Sequence, residues 1–89
     1  MTIFRRNPLS AGRVVDGLAF VVTADDNKLH TLNSTGTELW RLAQLPEGVT
    51  IDSGASKLVE LFEVEISLAK QDVTECLKAY AESGILIEE

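Results

Sequence analysis

Cysteine and histidine are almost absent from this chain, since Cys76 and His30 are the single residues of their types among 89. One cysteine excludes an internal disulfide and fits a reducing compartment. A metal site needs three or four clustered ligands, which this sequence does not offer. The chain also lacks the HExxH, CxxC, GxSxG and glycine-rich phosphate-loop motifs. We therefore expect no catalytic residue, no metal and no cofactor, and hence no enzymatic activity.

Long apolar runs are also missing. The longest, Leu18–Val22, is far shorter than the roughly 20 residues that a membrane span needs. Arg5 and Arg6 are not followed by an apolar stretch, so they do not form a twin-arginine export signal. These absences predict a cytoplasmic protein that has no membrane partner.

Basic residues are outnumbered, with 8 Lys and Arg against 14 Asp and Glu, which gives a formal net charge of −6. Residues 51–89 carry the whole excess, because they hold nine acidic residues and three lysines, whereas residues 1–50 hold five of each sign. Nucleic-acid binding depends on Lys and Arg side chains that neutralise phosphates. The acidic half therefore argues against a nucleic-acid partner and fits a neutral or basic peptide better.

The N-terminal segment, residues 1–11, is expected to be an irregular arm. Pro8 lacks a backbone N–H and has a fixed φ, so it interrupts regular structure. Phe4 and Leu9 are the apolar side chains that could anchor this arm to a core.

The next segment predicts a meander of three antiparallel strands. Asp16-Gly17 is a strong hairpin signal between a short strand over 13–16 and a second strand over 18–23. The nearly continuous apolar character of the second strand predicts a central position with burial on both faces. A turn at Asp25-Asp26-Asn27 then leads to a third strand over 28–32.

The rest of the chain changes to helical spacing and predicts three amphipathic helices. Their caps are expected at Asn33 or Ser34, at Asp52 or Ser53, and at Ser67, and Thr35-x-x-Glu38 fits a capping box. The inner faces would carry Leu39, Trp40, Leu42, Ala43, Ala55, Leu58, Val59, Phe62, Ala69, Val73, Cys76, Leu77 and Tyr80.

The end of the chain follows the third helix directly. Gly84 is placed as a helix C-terminal glycine, and Ile85 and Ile87 would bring the tail back to the core. The element order indicates an α+β fold that is winged-helix-like, with a three-stranded antiparallel sheet followed by three α-helices in one domain over residues 1–89. The helices would cover one face of the sheet.

The third predicted strand lies at an edge of the meander, where one row of backbone N–H and C=O groups has no partner. Lys28 is its only charge, no proline protects it, and Leu29, His30 and Thr31 would accept a visiting strand. Strand addition by an extended peptide is one interpretation. Cover by the third helix or by a second copy of the chain is the other, and the sequence leaves both open.

The segment Leu32–Leu42, with the sequence LNSTGTELWRL, resembles the LNxTGxxIW signature of the PqqD family. Leu39 stands where many relatives have isoleucine. Val14–Gly17, Gln71–Val73 and Ser83–Leu86 match further positions of the same family. The resemblance covers about residues 9–88, and its tryptophan-containing signature is the most specific part.

The resemblance implies a RiPP recognition element, a domain that binds the leader segment of a ribosomally made precursor peptide. Such relatives present the leader to a modifying enzyme, either a radical SAM protein or a leader peptidase. In them the leader adds as a strand to the third strand and packs against the third helix. Carried over to this chain, the groove would be formed by Leu29, His30, Thr31, Val73, Thr74, Leu77, Lys78 and Ala81.

The same architecture also serves DNA-binding and regulatory winged-helix domains, which is the alternative function. Such a domain would need a basic recognition helix, and none of the three predicted helices is basic. An open edge strand could also pair two copies of the chain, so a homodimer is a further option.

Overall fold

A computed structural model describes all 89 residues and contains five strands and three helices. In chain order the elements are β1 (Phe4–Arg6), β2 (Ala11–Val15), β3 (Leu18–Thr23), β4 (Lys28–Thr31), α1 (Ser34–Ala43), α2 (Ile51–Phe62), α3 (Ile66–Ser83) and β5 (Leu86–Glu88). Strands β2, β3 and β4 form the antiparallel three-stranded sheet in that order, and three helices follow it. The predicted α+β, winged-helix-like fold class is confirmed.

The hairpin between β2 and β3 turns at Asp16-Gly17, as predicted. Both residues have positive φ, 53° at Asp16 and 81° at Gly17, which is the backbone of a two-residue type I′ turn. Asn27 also has a positive φ in the turn before β4. Asparagine tolerates this conformation better than most residues, so the turn chemistry fixes where β4 begins.

Only one face of β3 is fully buried, so the prediction of burial on both faces is wrong. Side chains alternate along the strand, with Ala19, Val21 and Thr23 buried and the residues between them half-buried. All three helices follow the sheet in the chain, and α1 packs against β3. The residues of β3 that point to the opposite face are apolar, and only neighbouring side chains of the same sheet cover them.

The expected irregular arm contains a strand, and this prediction is also wrong. Residues 4–6 pair antiparallel with 86–88, so β1 and β5 form a second, two-stranded sheet. Phe4 is 1% exposed, and its backbone exchanges two hydrogen bonds with Val49. Leu9, the other expected anchor, is 71% exposed. Pro8 lies after the strand has ended, which explains why it does not prevent pairing.

Two of the predicted helix ends are confirmed by their backbone geometry. The Asn33 side chain accepts a hydrogen bond from the N–H of Gly36 at 2.8 Å, so Asn33 caps α1. Gly84 has a φ of 86° and ends α3 in the left-handed conformation. Trp40 of α1 is 7% exposed and belongs to the core, as expected.

Other helix ends differ from the prediction. Thr50, and not Asp52 or Ser53, caps α2, and it forms a capping box in which Ser53 is the third helical residue. The Thr35-x-x-Glu38 pattern does not form a capping box because Asn33 already holds the cap position. Helix α3 begins at Ile66, one residue before Ser67.

One apolar core joins the elements. Its buried residues are Phe4, Ala19, Val21, Leu32, Leu39, Trp40, Ala43, Val49, Ala55, Leu58, Ala69, Val73, Leu77, Ile85 and Leu86. Ile87 and Phe62 were expected to be buried with them, but they are 39% and 42% exposed. No helix combines the length and the apolar character that crossing a membrane requires.

Candidate functional site

Strand β4 has a partner on one side only. It pairs with β3, and no other strand of the fold pairs with it. The N–H of Leu32 donates to the carbonyl of Ala19 at 2.9 Å, which makes these residues a hydrogen-bonded pair. Hydrogen-bonded pairs alternate along an antiparallel ladder. The backbone groups of Leu29 and Thr31 therefore point away from β3, toward the open edge.

A groove separates this open edge from the C-terminal half of α3. The strand side and the following turn contribute His30, Thr31, Leu32 and Asn33, and the opposite side contributes Ala79, Tyr80, Ser83 and Ile85. Ala79 and Ser83 lie one helical turn apart, and their small side chains keep the helix wall low. A single extended chain is the kind of ligand that fits between a free strand edge and such a wall.

His30 is held at the groove by a polar cluster in the adjoining turn. Its Nε2 lies 3.3 Å from Oγ1 of Thr23, a residue that is 2% exposed. The Thr23 hydroxyl donates to the carboxylate of Asp26, and this hydrogen bond lowers the pKa of Asp26. The cluster fixes the turn before β4 and orients the His30 ring on the helix-facing side of the sheet.

Tyr80 and Cys76 lie one turn apart on α3, and both are partly buried. Burial raises the pKa of the Cys76 thiol and also raises the pKa of the Tyr80 hydroxyl. Both groups are therefore protonated at neutral pH, and a protonated thiol is a poor nucleophile. No group of three or more His, Cys, Asp or Glu side chains is placed to hold a metal ion.

The structure brings together the strand residues of the predicted site. His30 and Thr31 both line the groove, on either side of the β4 backbone. Leu29 lies on the same strand and is 62% exposed, but its side chain points to the face of the sheet that the helices leave open, because it pairs with Val22. Its contribution at the edge is its backbone N–H and C=O.

None of the five helix residues of the predicted site lines this groove. Val73 and Leu77 are both 0% exposed, so the prediction that they contact a peptide is corrected: they form the core beneath the groove. Lys78 and Ala81 line a different hollow, which includes Asp25, Asp26 and Glu82 and meets the groove at Ser83. Thr74 is half-buried, and its hydroxyl donates to the carbonyl of Lys70.

The helix residues that do line the groove are Ala79, Tyr80 and Ser83, and none of them was among the predicted peptide contacts. They lie on the flank of α3 opposite to that of Lys78 and Ala81. The sequence does contain a pattern that indicates this wall. An alanine and a serine lie one helical turn apart beside a tyrosine, so one flank of the helix carries small side chains. Spacing alone does not indicate which flank faces β4.

Two solved structures share this fold. One is described as TbiB1 in complex with the TbiA(beta) leader peptide; it has a TM-score of 0.82 and 16% sequence identity, over 93% of this chain and 94% of that chain. The other is described as lasso peptide synthetase B1 complexed with the leader peptide; it has a TM-score of 0.79 and 20% identity, over 94% and 96% of the two chains. No curated protein matches the sequence significantly.

The sequence profile of one protein family matches most of the chain. The match runs over residues 19–86, from the second residue of β3 to the first residue of β5, and so includes both sides of the groove. The family is described as Coenzyme PQQ synthesis protein D, PqqD. This chain belongs to the PqqD family.

Proposed function

We propose that this chain binds the leader segment of a ribosomally made precursor peptide by strand addition to β4 and presents it to a separate modifying enzyme. The observation that carries the proposal is the free backbone edge at Leu29 and Thr31, which opens onto the groove beside α3. An added strand would complete the hydrogen bonds that this edge leaves open and would place alternate side chains in the groove.

The two structures with the same fold support this choice of ligand. Each is described as a complex with a leader peptide. Membership of the PqqD family supports the same interpretation. Strand addition uses backbone groups, so it needs no particular side chain in the strand that offers the edge and does not depend on high sequence identity to other leader-binding proteins.

The binding role requires no chemistry from this chain, and we propose that it is not catalytic. Burial raises the pKa of the Tyr80 hydroxyl, which lines the groove, and of the Cys76 thiol one turn before it, and the Ser83 hydroxyl in the groove donates to the carbonyl of Tyr80. Reaction of the peptide would then belong to the partner enzyme, a radical SAM protein or a leader peptidase. Leu29, Thr74, Lys78 and Ala81 remain predicted contacts of the leader outside the groove itself.

The test uses a display library of the N-terminal segments of short open reading frames that lie near the gene for this chain. The segment that binds the wild-type protein most tightly is then synthesised and called the guest peptide. We expect binding to protect the backbone amides of Leu29 and Thr31 from hydrogen exchange, because these amides face the open edge. If no segment binds, the proposed function is wrong.

The matched variants are Thr31→Pro and Thr31→Val. Proline removes the N–H of Thr31, which is not used in pairing with β3, so the fold should persist while the guest loses a hydrogen bond. Valine has nearly the same shape and keeps the N–H. We expect Thr31→Pro to weaken guest binding about tenfold or more and Thr31→Val to have little effect, by calorimetry. Equal affinities for the two variants would exclude strand addition at this edge.

A further inference from the structure

The first turn of α1 approaches α3 most closely at Gly36. A Cβ atom built on Gly36 would overlap the hydroxyl oxygen of Tyr80 and would lie 3.1 Å from its ring carbon Cζ. Gly36 is buried, and its φ is not positive, so the backbone there does not itself require glycine. The requirement for glycine at this position comes from the tyrosine of the neighbouring helix.

Tyr80 has one direction in which it can move. Its ring packs partly against the apolar core on one side and lines the groove between β4 and α3 on the other. Interiors are close-packed, so a ring pushed away from α1 cannot enter the core. It would move toward the open side, which is the space that the proposed guest strand needs.

We propose that Gly36 is a positioning residue for peptide binding: it keeps the groove open by giving the Tyr80 hydroxyl the space that a side chain at position 36 would fill. The inference rests on the proposed function, because it concerns the width of the groove in which the peptide is proposed to bind. Gly36 lies in the LNSTGTELW segment, which resembles the signature of the PqqD family. The glycine of that segment thus acts on the groove through Tyr80, across two helices.

Helix propensity and the overlap with Tyr80 predict effects of opposite sign for Gly36→Ala. The sign of the effect on peptide affinity therefore distinguishes a changed helix stability from a narrowed groove. Alanine stabilises a helix relative to glycine, so Gly36→Ala would strengthen α1 if nothing else touched it. A weakened peptide affinity in Gly36→Ala therefore cannot come from a poorer helix. It would come from the contacts of the added Cβ, which overlaps the Tyr80 hydroxyl and lies 3.2 Å from Oδ1 of Asn33, and a Tyr80→Phe background separates these two contacts.

The experiment measures the effect of Gly36→Ala in two backgrounds, wild type and Tyr80→Phe, by calorimetry with the guest peptide. Phenylalanine lacks the hydroxyl that overlaps, and the remaining ring carbon is 3.1 Å away. We expect Gly36→Ala to weaken binding about tenfold in the wild-type background and less than about twofold in the Tyr80→Phe background. Equal losses in both backgrounds would overturn the inference.

Gly54→Ala is the matched control. Its added Cβ would lie 2.9 Å from Leu39 and 2.9 Å from Val73, two core side chains, so it crowds the core at a helix–helix contact that does not involve Tyr80. We expect a lower melting temperature for Gly54→Ala, with its guest affinity within about twofold of wild type. If Gly54→Ala weakened binding as much as Gly36→Ala, general loss of packing would explain both, and the inference would fail.

A second readout needs no peptide. Tyr80 is the only tyrosine of the chain, so incorporation of 3-fluorotyrosine gives one fluorine resonance. We expect Gly36→Ala to shift this resonance and to increase its relaxation by a soluble paramagnetic agent, while Gly54→Ala leaves its exposure unchanged. An unchanged fluorine resonance in Gly36→Ala would overturn this inference and would leave the proposed function standing. A wild-type protein that binds no guest would overturn the proposed function, and the fluorine signal would still decide whether Gly36 positions Tyr80.

Discussion

The Thr37 hydroxyl closes the end of the ladder between β3 and β4 by accepting a hydrogen bond from the backbone N–H of Ala19 at 2.9 Å. The same oxygen lies 3.5 Å from the carbonyl oxygen of Leu32, to which it can donate its proton. Leu32 in turn donates its own N–H to the carbonyl of Ala19. Thr37 thus takes the place of the last ladder bond, and the chain can leave the sheet and enter α1 with its buried polar groups paired.

This arrangement predicts the effect of Thr37→Val. Valine has nearly the same shape but leaves the buried N–H of Ala19 without an acceptor, which costs about 1–3 kcal/mol of unfolding free energy. Thr37→Ser keeps the hydroxyl and should cost less. Urea unfolding of the two variants measures the difference, and a Thr37→Val protein as stable as Thr37→Ser would contradict the role of the hydroxyl.

The pairing of β1 predicts that alanine substitutions of two apolar residues in the N-terminal segment have very different effects on the free energy of unfolding. Phe4 is 1% exposed and lies between β5 and Val49, so Phe4→Ala should destabilise the fold by about 3–5 kcal/mol. Leu9 is 71% exposed, so Leu9→Ala should change the stability by less than about 0.5 kcal/mol. Thermal unfolding compares them directly. Similar melting temperatures for the two variants would mean that β1 does not hold the N-terminus to the core.

The sequence predicted the elements whose signals are local. Asp16-Gly17, Asn33 and Gly84 act through the backbone conformation or hydrogen bonding of their own few residues, and each was found in its predicted role. Strand β1 was missed because it has three residues, two of them arginines, and its partner β5 lies at the other end of the chain. A pairing so short and so distant leaves no periodic pattern in the sequence.

The candidate site also has one part that local sequence signals predicted and one part that depends on distant packing. The edge strand was predictable because a meander of three strands has two edges, and β4 is one of them. The helix wall was not, because the apolar spacing of α3 identifies the face toward the core, at Val73 and Leu77, and not the flank toward β4. That flank depends on how α3 crosses the sheet, which is set by packing against α2 and β5.

Alkaline pH should destabilise the protein. Burial raises the pKa of Cys76 above its usual 9.0 and that of Tyr80 above its usual 10.0, so the folded state holds these protons more tightly than the unfolded chain. This contribution to stability is complete below the unfolded pKa values and is lost as the pH rises above about 9. Urea midpoints measured from neutral pH upward should fall above that point, and the fall should be smaller in Cys76→Ala. A midpoint that stays constant up to about pH 11 would contradict this prediction.

The charge of α3 predicts a preference for basic guest peptides. Glu75 lies one turn before Ala79 on the exposed side of the helix, and Asp72 lies two turns before it, so both carboxylates continue the line of the groove wall toward the N-terminal half of α3. A guest peptide whose neutral flanking residues are replaced by lysine should therefore bind more tightly than one with glutamate there. Surface charges are screened by salt, so the gap between the two peptides should narrow from low to high ionic strength.

The origin of this preference can be tested with two double variants of equal charge change. Asp72→Asn combined with Glu75→Gln removes two carboxylates beside the groove, whereas Glu47→Gln combined with Glu60→Gln removes two exposed carboxylates from outside α3. We expect the first pair to reduce the difference in affinity between the lysine and glutamate peptides and the second pair to leave most of it, because screened interactions weaken over about 10 Å. Equal reductions by both pairs would assign the preference to the net charge of −6 and not to the groove.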